Sequence, residues 1–299
     1  MIDPLKHLID TLTLDQTGAR TSEDIFVGVP MWTPHGRAFG GQVLAQSIVA
    51  ASLTVQEDRP IHSMHGYFLR PGDVQQTMTY SVDRIYDGRS FSTRRTQAYQ
   101  NGHPVLSMIA SFQQPDEGLN HQTPLDMSHY PEPESIPSLR DRYADLAGSG
   151  SADWILERPF DIRHTESPIF VSVDGERVAR QAEWVKTVGP MPDSPLVHKA
   201  ALAFASDYSI LEPIYRRHGI PWMTPGLRTA SLDHAMWFHR RFRVDEWLLF
   251  VTESPTAQGG RGLSQGRVYN RDGTHVATVA QEGMVRVPRR EPHEKESDE

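Results

Sequence analysis

Hydrophobic positions along the 299-residue chain recur in two periods, and the switches between them mark its elements. Leu5, Leu8, Ile9 and Leu12 recur at helical spacing and predict a short amphipathic helix over the first dozen residues. Glu23 to Val29 reads as a strand. After the turn-rich Thr33-Pro34-His35-Gly36-Arg37, residues Gly40 to Ala51 are rich in Ala and apolar side chains and hold no proline. That composition predicts a buried helix entered through glycines. Four strands are then expected: His62 to Leu69, Thr77 to Ile85, Ser90 to Tyr99 and Val105 to Phe112. The last two are joined by Asn101-Gly102, a strong hairpin signal.

Residues 114–150 change character, because Glu, Asp, Pro, Ser and Gly crowd them and Pro131, Pro133 and Pro137 interrupt any regular element. They read as a linker or surface excursion with one short helix around Arg140 to Leu146. The earlier pattern then returns. Pro159 to Arg163 and Ala179 to Val188 are strand-like. Leu196 to Tyr215 reads as one long helix, with Leu196, Ala200, Ala203, Phe204 and Ile210 on a broad apolar face. Strands Thr229 to Phe238, Trp247 to Glu253, Leu263 to Tyr269 and His275 to Val285 follow, the last pair joined by Asn270-Arg271-Asp272-Gly273. Tyr67-Phe68-Leu69-Arg70 and Trp237-Phe238-His239-Arg240 hold similar places, and the order of elements predicts a tandem duplication. A helix followed by consecutive antiparallel strands is expected to be wrapped by its own sheet, an α+β arrangement. The polar stretch after Val287 reads as a disordered tail.

Composition narrows the chemistry. With no Cys, a disulfide scaffold, a thiolate-ligated metal and a cysteine nucleophile are excluded. Lys and Arg number 30 against 38 Asp and Glu, and the resulting charge of −8 argues against nucleic acid as a partner. No apolar run approaches the ~18 residues that cross a bilayer. Met1-Ile2-Asp3-Pro4-Leu5-Lys6 lacks the charged start and apolar core of a secretory signal, so a cytoplasmic location is expected.

Gly262-Leu263-Ser264-Gln265-Gly266 fits the G-x-S-x-G nucleophile elbow, but that motif requires a strand-to-helix turn. Here it runs into strand chemistry and a hairpin, with Asp272 and His275 in or beside the turn and His293 in the polar tail, so a glycine-flanked strand start is the better reading. The 14 histidines raise the question of a metal. His62 with His65, and His234 with His239, fall at odd spacings in strands, which point the two members of each pair to opposite faces. No helical ligand spacing exists, so no metal is expected. Gly40-Gly41 and Gly259-Gly260 lack the lysine and spacing of phosphate-binding loops. Asp207 is harder to dismiss: it lies in an apolar helical context, where an ionised carboxylate needs partners. A surface or structural role remains open for it on composition alone. Gln281 stands amid Thr278-Val279-Ala280 where the first half has Ala110, and Ser231 opens the strand after the second helix.

Several long motifs resemble the acyl-CoA thioesterase II family (TesB-like). They are Arg37-Ala38-Phe39-Gly40-Gly41-Gln42-Val43, the run from His62 to Asp73 with Tyr67-Phe68-Leu69-Arg70-Pro71-Gly72, and Asp87-Gly88-Arg89-Ser90-Phe91-Ser92. Leu232-Asp233-His234-Ala235-Met236-Trp237-Phe238-His239 and Gln281-Glu282-Gly283 complete the set, which spans residues 5–286. The resemblance implies a double hotdog: residues 1–125 and 153–287 as two hotdogs, 126–152 as linker and 288–299 as tail. It implies hydrolysis of acyl-CoA to fatty acid and CoA, with no cofactor or metal, and a catalytic trio that falls on Asp207, Ser231 and Gln281. A thioester is reactive enough for direct attack by water, so such a site needs a carboxylate to take a proton and neutral groups to hold the water. Backbone N–H groups near Gly40-Gly41 are candidates for holding the oxyanion. Assembly into a homo-oligomer is expected from exposed sheet edges and flat faces. A hotdog hydratase or dehydratase and a non-catalytic acyl-CoA binding protein are the rivals. The first would act through an Asp–His pair, yet no His follows Asp207 until His218.

Overall fold

The computed structural model describes residues 3–16, 23–146, 148 and 151–288. Its first half runs α1 (Pro4–Thr11), β1 (Asp15–Gln16), β2 (Asp24–Gly28), α2 (Gly40–Ser52), β3 (Ile61–Phe68), β4 (Met78–Asp87), β5 (Phe91–Gln100) and β6 (His103–Gln113). After α3 (Leu139–Arg142) and α4 (Ser151–Leu156) come β7 (Phe160–His164), β8 (Arg180–Thr187), α5 (Pro195–Ser206) and α6 (Glu212–His218). The chain closes with β9 (Arg228–Ser231), β10 (Asp233–Phe238), β11 (Leu248–Gln258), β12 (Arg261–Asn270) and β13 (His275–Arg286).

Twelve of these strands lie side by side in one sheet, in the order β1-β2-β4-β5-β6-β3-β10-β13-β12-β11-β8-β7, and β9 pairs with β13. The halves meet where β3 and β10 pair antiparallel, from Asp233 opposite Tyr67 to Trp237 opposite Ser63. Each half wraps one helix. Every residue from Gly41 to Ala51 of α2 is buried, Gln42, Gln46 and Ser47 included, so the helix is enclosed all round rather than along one stripe. The hairpin expected at Asn101-Gly102 is a two-residue turn with φ of 51° and 74°, the left-handed pair such turns require.

The predicted helix Leu196 to Tyr215 is broken: α5 stops at Ser206, Asp207 is its C-cap, and α6 starts at Glu212. Pro213, in the first turn of α6, has no N–H to donate and its ring excludes a helical carbonyl four residues back, so the helix cannot run through 209–213. The stretch expected to be a surface excursion does more than connect. Ile136 packs with Trp184, Trp247 and Leu249, and Trp184 Nε1 donates to the Pro131 carbonyl at 2.9 Å. This strap covers the outer face of the second half's sheet. The sequence expectation also missed α4 and the two-residue β1. The polar tail after Pro288 lies outside the described residues.

Candidate functional site

Helices α2 and α5 pack so that the N-terminus of one meets the C-terminus of the other. A Cβ on Gly41 would lie 2.3 Å from the Phe204 carbonyl oxygen, and one on Gly40 would lie 2.7 Å from Asp207 Oδ2. The two glycines therefore permit an approach that no side chain would allow. It delivers the Asp207 carboxylate to the start of α2, where the Gly41 N–H donates to it and the helix dipole favours an anion. The Gly41 N–H, expected to serve an oxyanion, is thus committed to a carboxylate.

The two other trio residues arrive from neighbouring strands. Ser231 ends β9 opposite Gly283, and Gln281 faces the helix from β13. Ser231 Oγ donates to Asp207 Oδ1 at 3.0 Å, and Gln281 Nε2 donates to the same oxygen at 3.0 Å and to Ser231 Oγ at 2.8 Å. The chain kinks between β9 and β10 at Leu232, whose N–H donates to the Glu282 carbonyl while Asp233 Oδ1 accepts from the Glu282 N–H at 2.7 Å. That pinned kink offers Ser231 to the site and returns His234, Met236 and Phe238 to the core face.

Burial pushes the Asp207 carboxyl up to about 6, against the Gln281, Ser231 and Gly41 hydrogen bonds that favour its anion. Behind Gln281 lies His234, fully buried, with Nδ1 against Gln281 Oε1 and Nε2 3.0 Å from Ser206 Oγ. Burial pushes its imidazole down to about 4, so the ring is neutral. The residues alone did not mark His234 as part of this site. The available signal was its alternation with buried Met236 and Phe238, which puts a histidine on the core face.

Asp207 and Ser231 line a cavity of about 730 Å³. Its walls include Phe39, Phe68, Ile169, Phe170 and Leu211, and its outer rim carries the exposed His35, Arg37 and Arg70. On the other side, His164 and Glu212 join a buried polar cluster: His164 Nε2 is 3.1 Å from both Glu212 and Glu183, and Glu212 also accepts from Gln181 and Trp222. Burial, reinforced by Glu212, lifts the Glu183 carboxyl to about 7 although His164 pulls the other way.

The remaining candidates fall away on geometry. Ser264 sits inside β12, fully buried, with no hydrogen-bond partner for Oγ among the described residues, so the elbow reading has neither its turn nor its exposure. His62 and His65 do not take opposite faces. The register slips between Ile61 and Ser63, and His62 bonds Ser111 on the sheet's outer side, the side His65 also occupies. Neither reaches the cavity. Among the described residues no group of three or more His, Asp or Glu side chains is arranged to hold a metal ion, and no helix is long and apolar enough to cross a membrane.

Comparison with known proteins accords with this geometry. A family profile described as acyl-CoA thioesterase matches residues 153–284, and one described as acyl-CoA thioesterase N-terminal domain matches 29–113. Acyl-CoA thioesterase 2 of Haemophilus influenzae is 34% identical over 291 residues, covering 96% of this chain and 99% of its own. Human acyl-coenzyme A thioesterase 8 is 37% identical over 280 residues, covering 89% and 85%. The crystal structure of an acyl-CoA thioesterase II from Mycobacterium marinum superposes with a TM-score of 0.75 at 35% identity, covering 94% of this chain and 98% of that one. The chain belongs to the acyl-CoA thioesterase II family, thioester hydrolases of double-hotdog fold.

Proposed function

We propose that this thioesterase hydrolyses fatty acyl-CoA by direct attack of a water on the thioester carbon, with Asp207 as general base. The observation that carries the reading is a carboxylate on the cavity wall whose Oδ1 is gripped by Ser231 and Gln281. Asp207 takes the water's proton as the new C–O bond forms. The C–S bond then breaks, and the leaving thiolate is protonated to free CoA. Both Gln281 Nε2 hydrogens are already engaged, so Ser231 and Gln281 act first by fixing the carboxylate. Ser231 Oγ keeps a lone pair for the water. A carboxyl near 6 suits the role, because it is ionised at neutral pH yet basic enough to accept a proton.

The cavity's polarity orients the substrate. The acyl chain lies along Phe39, Phe68, Ile169 and Leu211, and the CoA phosphates face the His35, Arg37 and Arg70 rim, a local basic patch on a chain of charge −8. The hydratase reading loses support because His234 lies behind Gln281, and His164, the buried histidine of the cavity wall, turns its Nε2 to Glu183 and Glu212. We also infer a homo-oligomer, since Tyr67 on the junction strand β3 and Ile109 on its neighbour β6 leave apolar surface on the outer face. Light scattering on the purified protein reads that directly. Thiol release from acyl-CoA by Asp207→Asn tests the mechanism. A loss of about 10²–10⁴ is expected, turnover within a few-fold of wild type would remove Asp207 as base, and binding without turnover by the wild type would make the protein a carrier.

A further inference from the structure

We infer that His234 is a positioning residue whose Nδ1–H sets the orientation of the Gln281 amide and, through it, of the Asp207 carboxylate. The inference rests on the reading of Asp207 as the base, but the hydrogen-bond logic behind it does not. An ionised Asp207 can only accept, so the atom of Gln281 that faces Oδ1 must be the amide nitrogen. Gln281 Oε1 then points the other way, at His234 Nδ1. Two bare acceptors would repel there, so Nδ1 must carry the hydrogen. With the ring neutral, Nε2 is left as an acceptor. The Ser206 hydroxyl, 2.9 Å from the Ala203 carbonyl, lies 3.0 Å from Nε2 and is a donor within its reach. The result is one directed chain, His234 to Gln281 to Asp207, with Ser206 against the far side of the imidazole.

Without the imidazole N–H, nothing on that side distinguishes the two ends of the Gln281 amide. A half-turn about its last bond would set a carbonyl oxygen against the carboxylate. Gln281 is 1% exposed and His234 0%, so bulk solvent does not reach the place of the missing donor. In the first half of the chain, Met64 stands at the corresponding place, opposite Ala110, and no such chain forms.

Nitrogen-15 spectra of the histidine rings in the full-length protein test the tautomer directly. His234 should carry hydrogen on Nδ1 and none on Nε2 from pH 5.5 to 8. The opposite tautomer, or a ring that titrates in that range, overturns the inference whatever the activity. Kinetics test its consequence. His234→Asn places an amide N–H where Nδ1–H lies and should keep kcat within about threefold of wild type, whereas His234→Leu should lose about tenfold or more in kcat with little change in KM. A merely structural histidine predicts that both variants lower the melting temperature and neither separates kcat from KM. If His234→Leu keeps wild-type kcat, or if Asn does no better than Leu, the positioning role fails. Should His234→Leu not fold, the wild-type tautomer still decides. Failure of the base reading shows separately, as an Asp207→Asn enzyme that retains turnover.

Discussion

The two halves of the molecule share one plan and differ at one end of one helix. Leu53 and Asp207 are the C-caps of α2 and α5. Met64 lies opposite Ala110 across β3 and β6, the place His234 and Gln281 occupy in β10 and β13, and Ile61 stands where the second half has Ser231. Leucine, isoleucine, methionine and alanine in one copy thus correspond to aspartate, serine, histidine and glutamine in the other. Ile61, Met64 and Ala110 are all at most 2% exposed, and their positions simply fill core. The first half closes its helix end with a cation instead. Arg94 Nε donates to Thr54 Oγ1 at 2.8 Å, and its Nη2 reaches the Thr54 carbonyl and both oxygens of Asp87. Its counterpart in register is Ser264, opposite Gln281 as Arg94 is opposite Ala110. Buried polar groups cost free energy unless each is partnered, so a fold carries them where function or a helix end demands them and hydrocarbon elsewhere.

The comparison breaks hardest at Asp207. Asp207→Asn should abolish nearly all turnover yet raise stability at neutral pH. The native carboxyl, at about 6, holds its proton more tightly than an unfolded one near 3.8. Ionising it therefore opposes folding, with no effect below about pH 4 and the full effect above about pH 6. The uncharged amide removes that penalty, which is at most about 3 kcal/mol. Thermal melts at pH 4 and pH 7.5 check the sign, because the gain should appear only at the higher pH. Equal destabilisation at both would mean the carboxylate is a structural anchor.

Arg94→Met makes the reciprocal case. It leaves the Thr54 hydroxyl and carbonyl short of donors in the core, so the protein should lose about 2–4 kcal/mol while kcat stays near wild type. Urea unfolding and a turnover assay separate the two. A large fall in kcat at unchanged fold would show that the first helix end also serves the chemistry.

Ser231→Ala is gentler, since Gln281 and the Gly41 N–H still hold the carboxylate. A loss of about tenfold in kcat is expected for one neutral hydrogen bond in such a site. The wild-type profile of kcat/KM should rise with pH through about 6, as Asp207 ionises. Removing a donor to its anion should move that midpoint upward. A midpoint that stays put would mean that another group controls the rate.

How much of this was legible in the sequence follows from which forces are local. Strands with period-2 alternation, the Asn101-Gly102 turn and the apolar α2 are local signals, and they stand where expected. The break after Ser206 was written in Pro213, but an Ala-rich apolar run outweighed it. The outer-face position of both His62 and His65 depends on a register slip, which no alternation rule contains. Asp207, Ser231 and Gln281 stood out as polar residues in apolar surroundings, and family resemblance joined them. That they share Oδ1, that Gly41 completes the grip and that His234 stands behind depend on contacts between residues up to 166 positions apart in sequence. The covering of the second sheet by residues near Ile136 was invisible for the same reason: a Pro-rich stretch reads as solvent-facing until Trp184 and Trp247 need a lid.

The smallest effects should come from the first half, and they sharpen what it is for. Arg37 and Arg70 are exposed at the cavity rim, so each interaction with a CoA phosphate is screened and worth about 1 kcal/mol or less. Arg37→Ala and Arg70→Ala should raise KM for acyl-CoA a few-fold, leave kcat unchanged and leave stability unchanged. Because the Debye length shrinks from about 10 Å at 0.1 M salt to about 3 Å at 1 M, wild-type KM should climb with salt, and the variants should climb less. The division of labour is then measurable: side chains after 200, with the Gly41 N–H, set kcat, and this first-half rim sets KM. If Arg37→Ala lowered kcat while KM held, the cationic rim would be stabilising the transition state rather than the bound substrate, and the two halves would share the chemistry.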